Sequence, residues 1–310
     1  IRDRYRMKFS QVKEDLEKLD VGEMIEDEPM YKHTTYKVGG PARIYLKVKD
    51  VDSLIKTIKY CGKHRVKYLV IGRGSNLLFS DREYEGLIIS LNECFNEIKV
   101  NGSTMIAQAG VPMISLSYQA AKIGLSGFEF MGGIPGSIGG GIYMNAGAYK
   151  YDLASVVKTV TLLNEKHEVV TFNNEQMDFS YRHSICQDNR KLIVLEVTFE
   201  LTAKSPDEIK AVLDKRKERR MSSQPWNMPS AGSVFRNPQD KPAWQYIDEC
   251  GLRGYEIGGA QVSPKHSNFI VNNGYASAKD IYDLIMLVQE KVNEKFGVKL
   301  RREVGLINWE

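Results

Sequence analysis

Nine glycines fall in the 24 positions from Gly124 to Gly147. Glycine weakens helices and strands alike, so a run this dense needs a use for bare backbone. A flexible linker is one use, but linkers are polar and rich in Gly and Ser. This stretch, continued to Tyr149, is threaded with Phe128, Phe130, Met131, Ile134, Ile138, Ile142, Tyr143 and Met144. It reads instead as a buried, tightly turned segment pressed against a large nucleotide, with free N–H groups that can cradle a phosphate.

At 310 residues the chain can bury a sizeable core and divide into two or three domains. A net charge of +4 is too weak to imply a nucleic-acid partner. Cys61, Cys94, Cys186 and Cys250 form no CxxC pair, which argues against a zinc site or a disulfide framework and fits a reducing cytoplasm. No apolar run reaches the length of a membrane span, and no signal peptide is expected. Ile1 to Arg6, ahead of Met7, read as appended sequence.

The pattern along the chain alternates helix and strand. Lys8 to Leu19 reads as a charged helix, and Ala42 to Val48 as a strand with Ile44, Leu46 and Val48 on one face. Asp50 caps a helix carrying Val51, Leu54, Ile55 and Ile58, with a stop expected at Gly62. Tyr68 to Ile71 is a strand running straight into Gly72-Arg73-Gly74-Ser75-Asn76, and Leu87 to Ser90 is another. Asn101-Gly102 marks a hairpin between two strands within Ile98 to Ala109. Pro112 opens a helix that ends at Gly124. Val156 to Leu163 is expected to pair with Glu168 to Phe172, followed by a long strand from Leu192 to Leu201. A helix begins at Ser205-Pro206-Asp207-Glu208, and a last one carries Ile281, Leu284, Ile285, Val288 and Val292 up to Gly297.

The common nucleotide fingerprints are absent. No Gly-Lys pair is followed by Ser or Thr, so there is no P-loop. Gly72 and Gly74 begin a GxGxxG, but position 77 is Leu. The five histidines have no metal-ligand spacing, so no metal is expected. The run Lys215 to Arg220 reads as a solvated helix end; the other reading is that one of its arginines faces an anionic substrate.

Three segments together carry a resemblance: Gly72 to Asn76 after a strand, Gly133-Ile134-Pro135-Gly136-Ser137-Ile138-Gly139-Gly140, and Asn145-Ala146-Gly147-Ala148-Tyr149. Downstream come Tyr181-Arg182-His183-Ser184, Pro229 to Phe235, Gly258 to Ser263, Lys265-His266, Asn268 to Asn272 and Arg302-Glu303-Val304. In this order, over roughly residues 30 to 308, the set resembles the UDP-N-acetylenolpyruvoylglucosamine reductase family. The resemblance implies an α+β, FAD-binding fold of the vanillyl-alcohol-oxidase (PCMH) type. It implies two FAD-binding subdomains, 1–92 and 93–203, and a C-terminal substrate-binding α/β domain, 204–310, whose final strand carries a catalytic glutamate. Composition and periodicity alone support only mixed helix, strand and glycine turns.

The implied reaction uses NADPH and FAD to reduce the enolpyruvyl ether of a UDP-sugar to a D-lactyl ether, in the cytoplasm, for peptidoglycan. By resemblance Ser233 is the proton donor, Arg182 polarises the substrate carboxylate, and Glu303 hydrogen-bonds the developing enol. Gly72, Arg73, Gly74, Ser75, Asn76, Gly133, Gly136, Ser137, Gly139, Gly140 and Asn145 are the expected FAD contacts. Tyr149, Arg220, Lys265 and His266 are candidate substrate contacts. The first glycine turn carries no histidine, so the FAD is expected to be non-covalent. Leu201 runs almost directly into the helix at Pro206, with no room for an inserted tyrosine loop, which resembles the family's shorter (type II) subgroup. Gly305 stands where many relatives have an arginine. Two other readings of the chain are a flavin oxidase that passes electrons to O₂ and a flavin- or nucleotide-binding module without chemistry.

Overall fold

The computed structural model describes residues 2–310, with side chains from residue 9 onward; Ile1, first of the residues read as appended, lies outside the described residues. The chain forms two compact units. The first comprises Ile1–Glu28, Ala42–Arg73 and Glu85–Lys217; the second comprises Pro29–Pro41, Gly74–Tyr84 and Glu218–Glu310.

Among the described residues the first unit holds two larger sheets, beside short pairings of Gly147–Ala148 with Tyr151–Asp152 and of Leu125–Ser126 with Thr202–Ala203. One runs in the order Gly22–Pro29, Pro41–Val48, Tyr84–Ser90, Tyr68–Ile71. Sequence reading assigned no strand to GEMIEDEP, because its acidic residues hide the period; the neighbouring apolar strand decides its pairing. Pro41–Val48 is buried on nearly every residue, not on alternate ones. The helix Val51–His64 starts on Asp50, whose carboxylate accepts the Ser53 N–H at 2.7 Å. It does not stop at Gly62. It runs two residues further, until Arg65 takes the left-handed conformation (φ 55) and returns its N–H to the Cys61 carbonyl. Cys61 is buried, so the last turn is held down by packing that the glycine does not reveal.

The second sheet has five strands in the order Val169–Asn173, Val157–Leu163, Ile193–Glu200, Thr104–Gln108, Ile98–Asn101. All are antiparallel, and Asn101 faces Thr104 across the expected hairpin. A large apolar core, including Leu46, Leu87, Ile142, Val160 and Phe199, runs through this unit, with a small separate cluster at Ala121, Ile209 and Leu213.

The second unit packs around the helix Ala278–Phe296, with Ile281, Leu284, Ile285, Val288 and Val292 fully or almost fully buried. Gly297 (φ 67) ends it, as its sequence position suggests. Its start is unusually well tied. Ser277 and Asp280 form a reciprocal capping box, Asp280 also accepts the Gly259 N–H at 3.2 Å, and Asp81 accepts the N–H groups of Ala278 and Lys279, each at 2.9 Å. Asp280→Ala strands several of these donors and is expected to cost about 1–2 kcal/mol. A lowered Tm of thermal unfolding would show it; an unchanged Tm would mean that Asp81 alone suffices.

The last strand, Gly305–Ile307, lies parallel to Leu77–Phe79. A three-stranded antiparallel sheet, Glu256–Ile257, Ala260–Val262 and Ile270–Asn272, completes the unit.

Candidate active site

In the first unit the two glycine segments meet. A Cβ at Gly72 would lie 2.4 Å from Ser137 Oγ, with Gly140 Cα 4.0 Å away. Ser137 is buried and caps the short helix Ile138–Met144 by accepting the Gly140 N–H at 3.4 Å. Gly139 approaches Ala109 so closely that a Cβ would stand 3.0 Å from its methyl, and its N–H donates to the Ala109 carbonyl. The density of glycine therefore has a packing cause on one side of this helix, while Gly140 is exposed on the other. Gly136 is buried with φ 129, a conformation suited to glycine, and its carbonyl accepts the Met113 N–H. Gly133 is half-buried and Arg73 exposed. Beside Gly72, Asn92 donates from Nδ2 to the Gly72 carbonyl at 2.9 Å, while its buried Oδ1 has no protein partner.

The residues just past the end of the glycine helix hold the turn that carries Arg182. Asn145, left-handed at φ 43, is fully committed: Nδ2 donates to Asp152 Oδ2 (3.0 Å) and to the Ser180 carbonyl (2.8 Å), and Oδ1 accepts the Ala154 N–H (3.0 Å). Ser180 and His183 exchange backbone hydrogen bonds at 3.1 Å, which puts Tyr181 and Arg182 at the tip of a tight turn. Arg182 is left-handed (φ 55), and its Nη2 donates to the Gly147 carbonyl at 2.8 Å. Gln187 Nε2 fixes the Arg182 carbonyl from behind. The guanidinium carbon lies 5.0 Å from the centroid of the Tyr181 ring. A non-glycine residue held at positive φ by this many contacts stores strain, as residues at functional sites often do.

Tyr149 is also left-handed (φ 56) and donates to the Arg216 carbonyl at 3.2 Å, with the Arg216 guanidinium over its ring at 4.7 Å. Thus one arginine of the basic run is not merely a solvated helix end. Among the described residues, Asp178, His183 and Asp188 bring potential metal ligands within 4.8 Å of one another, with His183 Nε2 3.0 Å from Asp188.

In the second unit the structure brings Ser233 and Glu303 together. The segment after Ser233 lies antiparallel to Arg301–Glu303: Phe235 bridges Arg302, Glu303 N–H donates to the Val234 carbonyl at 2.8 Å, and Arg236 N–H donates to the Arg301 carbonyl at 2.9 Å. Ser233 and Glu303 are both half-buried. From the other side Asn76 Nδ2 donates to the Glu303 carbonyl at 3.0 Å, and Gly305 N–H donates to the Asn76 carbonyl at 2.9 Å. The first glycine turn thus anchors the segment of the glutamate, a role its sequence does not announce. Glu303 itself precedes the last strand, Gly305–Ile307, rather than lying on it as expected, because its backbone is spent on Val234 and Asn76 instead of a ladder. Gly74 (φ 61) closes that turn where a Cβ would be 2.0 Å from the His33 carbonyl oxygen, and Thr35 N–H donates to the Gly74 carbonyl. Ser75 is half-buried in the same turn. At Gly305 a Cβ would meet Leu77 Cδ2 at 3.0 Å, so a larger residue there requires Leu77 to move.

The remaining sequence candidates are Lys265, His266 and Arg220. Lys265 is exposed and its Nζ donates to the Met221 carbonyl. His266 accepts the Asn268 N–H through Nδ1 at 3.2 Å; burial, aided by the Arg253 charge, lowers its pKa below the ordinary histidine value. Arg220 is half-buried, and its carbonyl accepts the Gln224 N–H. The sequence assigns no role to Gln187 and no specific one to Arg216 or the Asn268 amide, although the last two lie in stretches it singles out. The contacts of Arg216 with Tyr149, Gln187 with the Tyr143 carbonyl and Asn268 with Phe235 join segments distant in the chain.

Known proteins are similar to this chain in sequence and fold. A family model described as "UDP-N-acetylenolpyruvoylglucosamine reductase, C-terminal domain" matches residues 224–307, and one described as "FAD binding domain" matches residues 42–173. UDP-N-acetylenolpyruvoylglucosamine reductase 1 of Bacillus anthracis is 44% identical over 299 residues, covering 96% of this chain and 99% of that protein. The reductase of Anoxybacillus flavithermus is 43% identical over the same length. The crystal structure of the UDP-N-acetylenolpyruvylglucosamine reductase from Thermus caldophilus superposes with a TM-score of 0.79 at 32% identity, covering 92% of this chain and 98% of that one.

Proposed function

We infer the chemistry of this chain from one premise: it belongs to the UDP-N-acetylenolpyruvoylglucosamine reductase family. The enzyme is an FAD-dependent oxidoreductase with the FAD-binding α+β fold of the vanillyl-alcohol-oxidase type. It uses NADPH to reduce UDP-N-acetylglucosamine enolpyruvate to UDP-N-acetylmuramate, a step in making peptidoglycan precursors. The family resemblance, unlike the O₂-oxidase and binding-module readings, accounts for Ser233, Arg182 and Glu303 together. Among the described residues no helix is long and apolar enough to cross a membrane, and we place the enzyme in the cytoplasm because its nucleotide substrates are there.

The residues at Gly72 suit a flavin dinucleotide. Bare backbone faces Ser137 and Gly140, and the unpartnered buried Oδ1 of Asn92 offers an acceptor beside it. FAD, when bound, supplies the hydride relay between NADPH and the enolpyruvyl carbon. We assign Gly72 to Asn76 and Gly133 to Gly140 to holding it, with Asn145 shaping the helix end, and we retain the three-part division 1–92, 93–203 and 204–310 as the functional one. No histidine lies in the first turn, so the group is held without a covalent bond.

Gly72→Ala tests this assignment. Its methyl would drive Ser137 Oγ off the Gly140 N–H, and because Ser137 is buried the hydroxyl has little room to turn. The purified variant is expected to lose most of its yellow colour and to release little FAD on denaturation. Gly62→Ala, whose Cβ meets open space within a helix, is the control and should keep its flavin. Full flavin content in Gly72→Ala would remove that glycine from the FAD site.

Arg182 takes the substrate carboxylate. A guanidinium stays charged at all working pH and binds a carboxylate through two parallel hydrogen bonds. Negative charge grows on that carboxylate as the enolate forms, so a fixed cation lowers the barrier. Ser233 then gives its hydroxyl proton to the α-carbon, and Glu303, neutral or held by a nearby cation, hydrogen-bonds the developing enol. Tyr149, Arg220, Lys265 and His266 remain our candidates for the sugar nucleotide. The observation that carries the reading is the pairing of Glu303 with Val234, the residue after Ser233.

The deciding assay is anaerobic. NADPH oxidation coupled to loss of the enolpyruvyl substrate is expected without O₂. Turnover that requires O₂ would favour the flavin oxidase, and no turnover of any kind would favour the binding module.

A further inference from the structure

Ser233 lies in a stretch without regular structure, so something other than a sheet ladder fixes it. Glycine at 232 (φ 70) leaves the chain free to pivot immediately before it. The two residues after it are fully paired. Val234 N–H donates to the Asn268 carbonyl at 2.8 Å, and Val234 C=O accepts from Glu303. Phe235 N–H donates to Asn268 Oδ1 at 3.0 Å, and Asn268 Nδ2 donates to the Phe235 carbonyl at 2.9 Å. One carboxamide therefore pairs both backbone groups of Phe235, as a neighbouring strand would.

Asn268 is only 3% exposed, so these bonds have little competition from water. The clamp is itself anchored, since the Asn268 N–H donates to the half-buried His266 ring. The geometry needs a donor and an acceptor on one short planar group. A carboxylate lacks the donor, and an alkyl side chain lacks both.

We propose that Asn268 is a positioning residue that holds Ser233 where its hydroxyl delivers the proton, by pairing the backbone of Val234 and Phe235. This rests on the reading of Ser233 as proton donor, and it adds a residue that makes no contact with the reacting atoms. Removing the amide strands two buried backbone groups and frees the segment to shift. A displacement near 1 Å can cost a reaction about 100-fold.

The test uses the holoenzyme and separates the two half-reactions by stopped flow, with NADPH and then the enolpyruvyl UDP-sugar. Asn268→Ala is expected to leave flavin reduction by NADPH unchanged and to slow reoxidation by the enolpyruvyl substrate about 10- to 100-fold. In a Ser233→Ala background the same change should have no further effect, because there is no hydroxyl left to misplace. Asn268→Asp supplies a second, isosteric readout. Ionised, it sets a carboxylate against the Phe235 carbonyl; protonated, it regains the donor, so its reoxidation rate should recover as pH falls. The titratable neighbours are His266, whose ring accepts the Asn268 N–H, and Glu303 across Val234; the Asn268→Ala profile reports both without the new carboxyl.

Multiplicative losses in the double variant, or an Asn268→Asp profile parallel to that of Asn268→Ala, would reduce Asn268 to a packing residue and overturn the proposal. If the alanine variant does not fold, the aspartate profile is read against that of the unaltered enzyme, and a profile parallel to it overturns the proposal. Unimpaired reoxidation in Ser233→Ala alone would overturn the proton-donor reading instead, and the two failures are thus told apart.

Discussion

Ser233→Ala is expected to reduce its flavin with NADPH at the normal rate and to return the hydride to the enolpyruvyl substrate about 10²–10⁴-fold more slowly. The asymmetry follows from where the proton is needed. NADPH oxidation requires no acid at position 233, whereas saturating the enolpyruvyl double bond requires one at the α-carbon. A serine hydroxyl is a weak acid, but an enolate carbon is a strong base, so the pair is matched only in the second half-reaction. The fold should survive the change. Ser233 is half-buried, and the backbone beyond it is held by Asn268 and Glu303 without using its hydroxyl. Equal slowing of both half-reactions would point to a disturbed flavin site and remove Ser233 as the donor. Neither half-reaction changing would favour a protein that only binds flavin.

Glu303→Ala should cost about 10²–10³-fold in the same second half-reaction, the loss expected when one donor to a developing oxyanion is removed. Glu303→Gln should cost less, because a carboxamide keeps an N–H to give the enol. The backbone at 303 is pinned from both sides, by Val234 on its N–H and by Asn76 on its carbonyl. Either substitution therefore leaves these two backbone anchors in place. Equal losses in the two variants would show that the acid's proton, not a hydrogen bond, matters. An alanine variant with full activity would remove Glu303 from the mechanism.

What was legible in the sequence was local. Asp50 as a cap, Asn101-Gly102 as a hairpin and Gly297 as a helix stop each depend on a few neighbouring residues, and each appears in the structure. Gly62 misled because a glycine can sit in a helix when its neighbour Cys61 is buried and Arg65 supplies the left-handed cap. The strand Gly22–Pro29 was invisible because its pairing partner, not its own composition, makes it a strand. At the site, family motifs pointed to Arg182, Ser233 and Glu303, but no spacing reveals that the Asn145 amide reaches Ser180 or that Asn76 holds Glu303.

The sequence by itself determined which residue types are available for the chemistry and where bare backbone is required. The glycine stretch announced a tightly packed ligand wall. The tertiary structure decided what that wall is fastened to. Within one unit Gly72 meets Ser137, and Asn145 and Gly147 hold the turn of Arg182. Within the other, Asn76, Glu303, Val234 and Asn268 form one run of hydrogen bonds around Ser233. These links join residues 33 to 227 positions apart. Local propensity does not encode them, because each exists only when burial leaves a backbone N–H or C=O no partner except a distant side chain or strand.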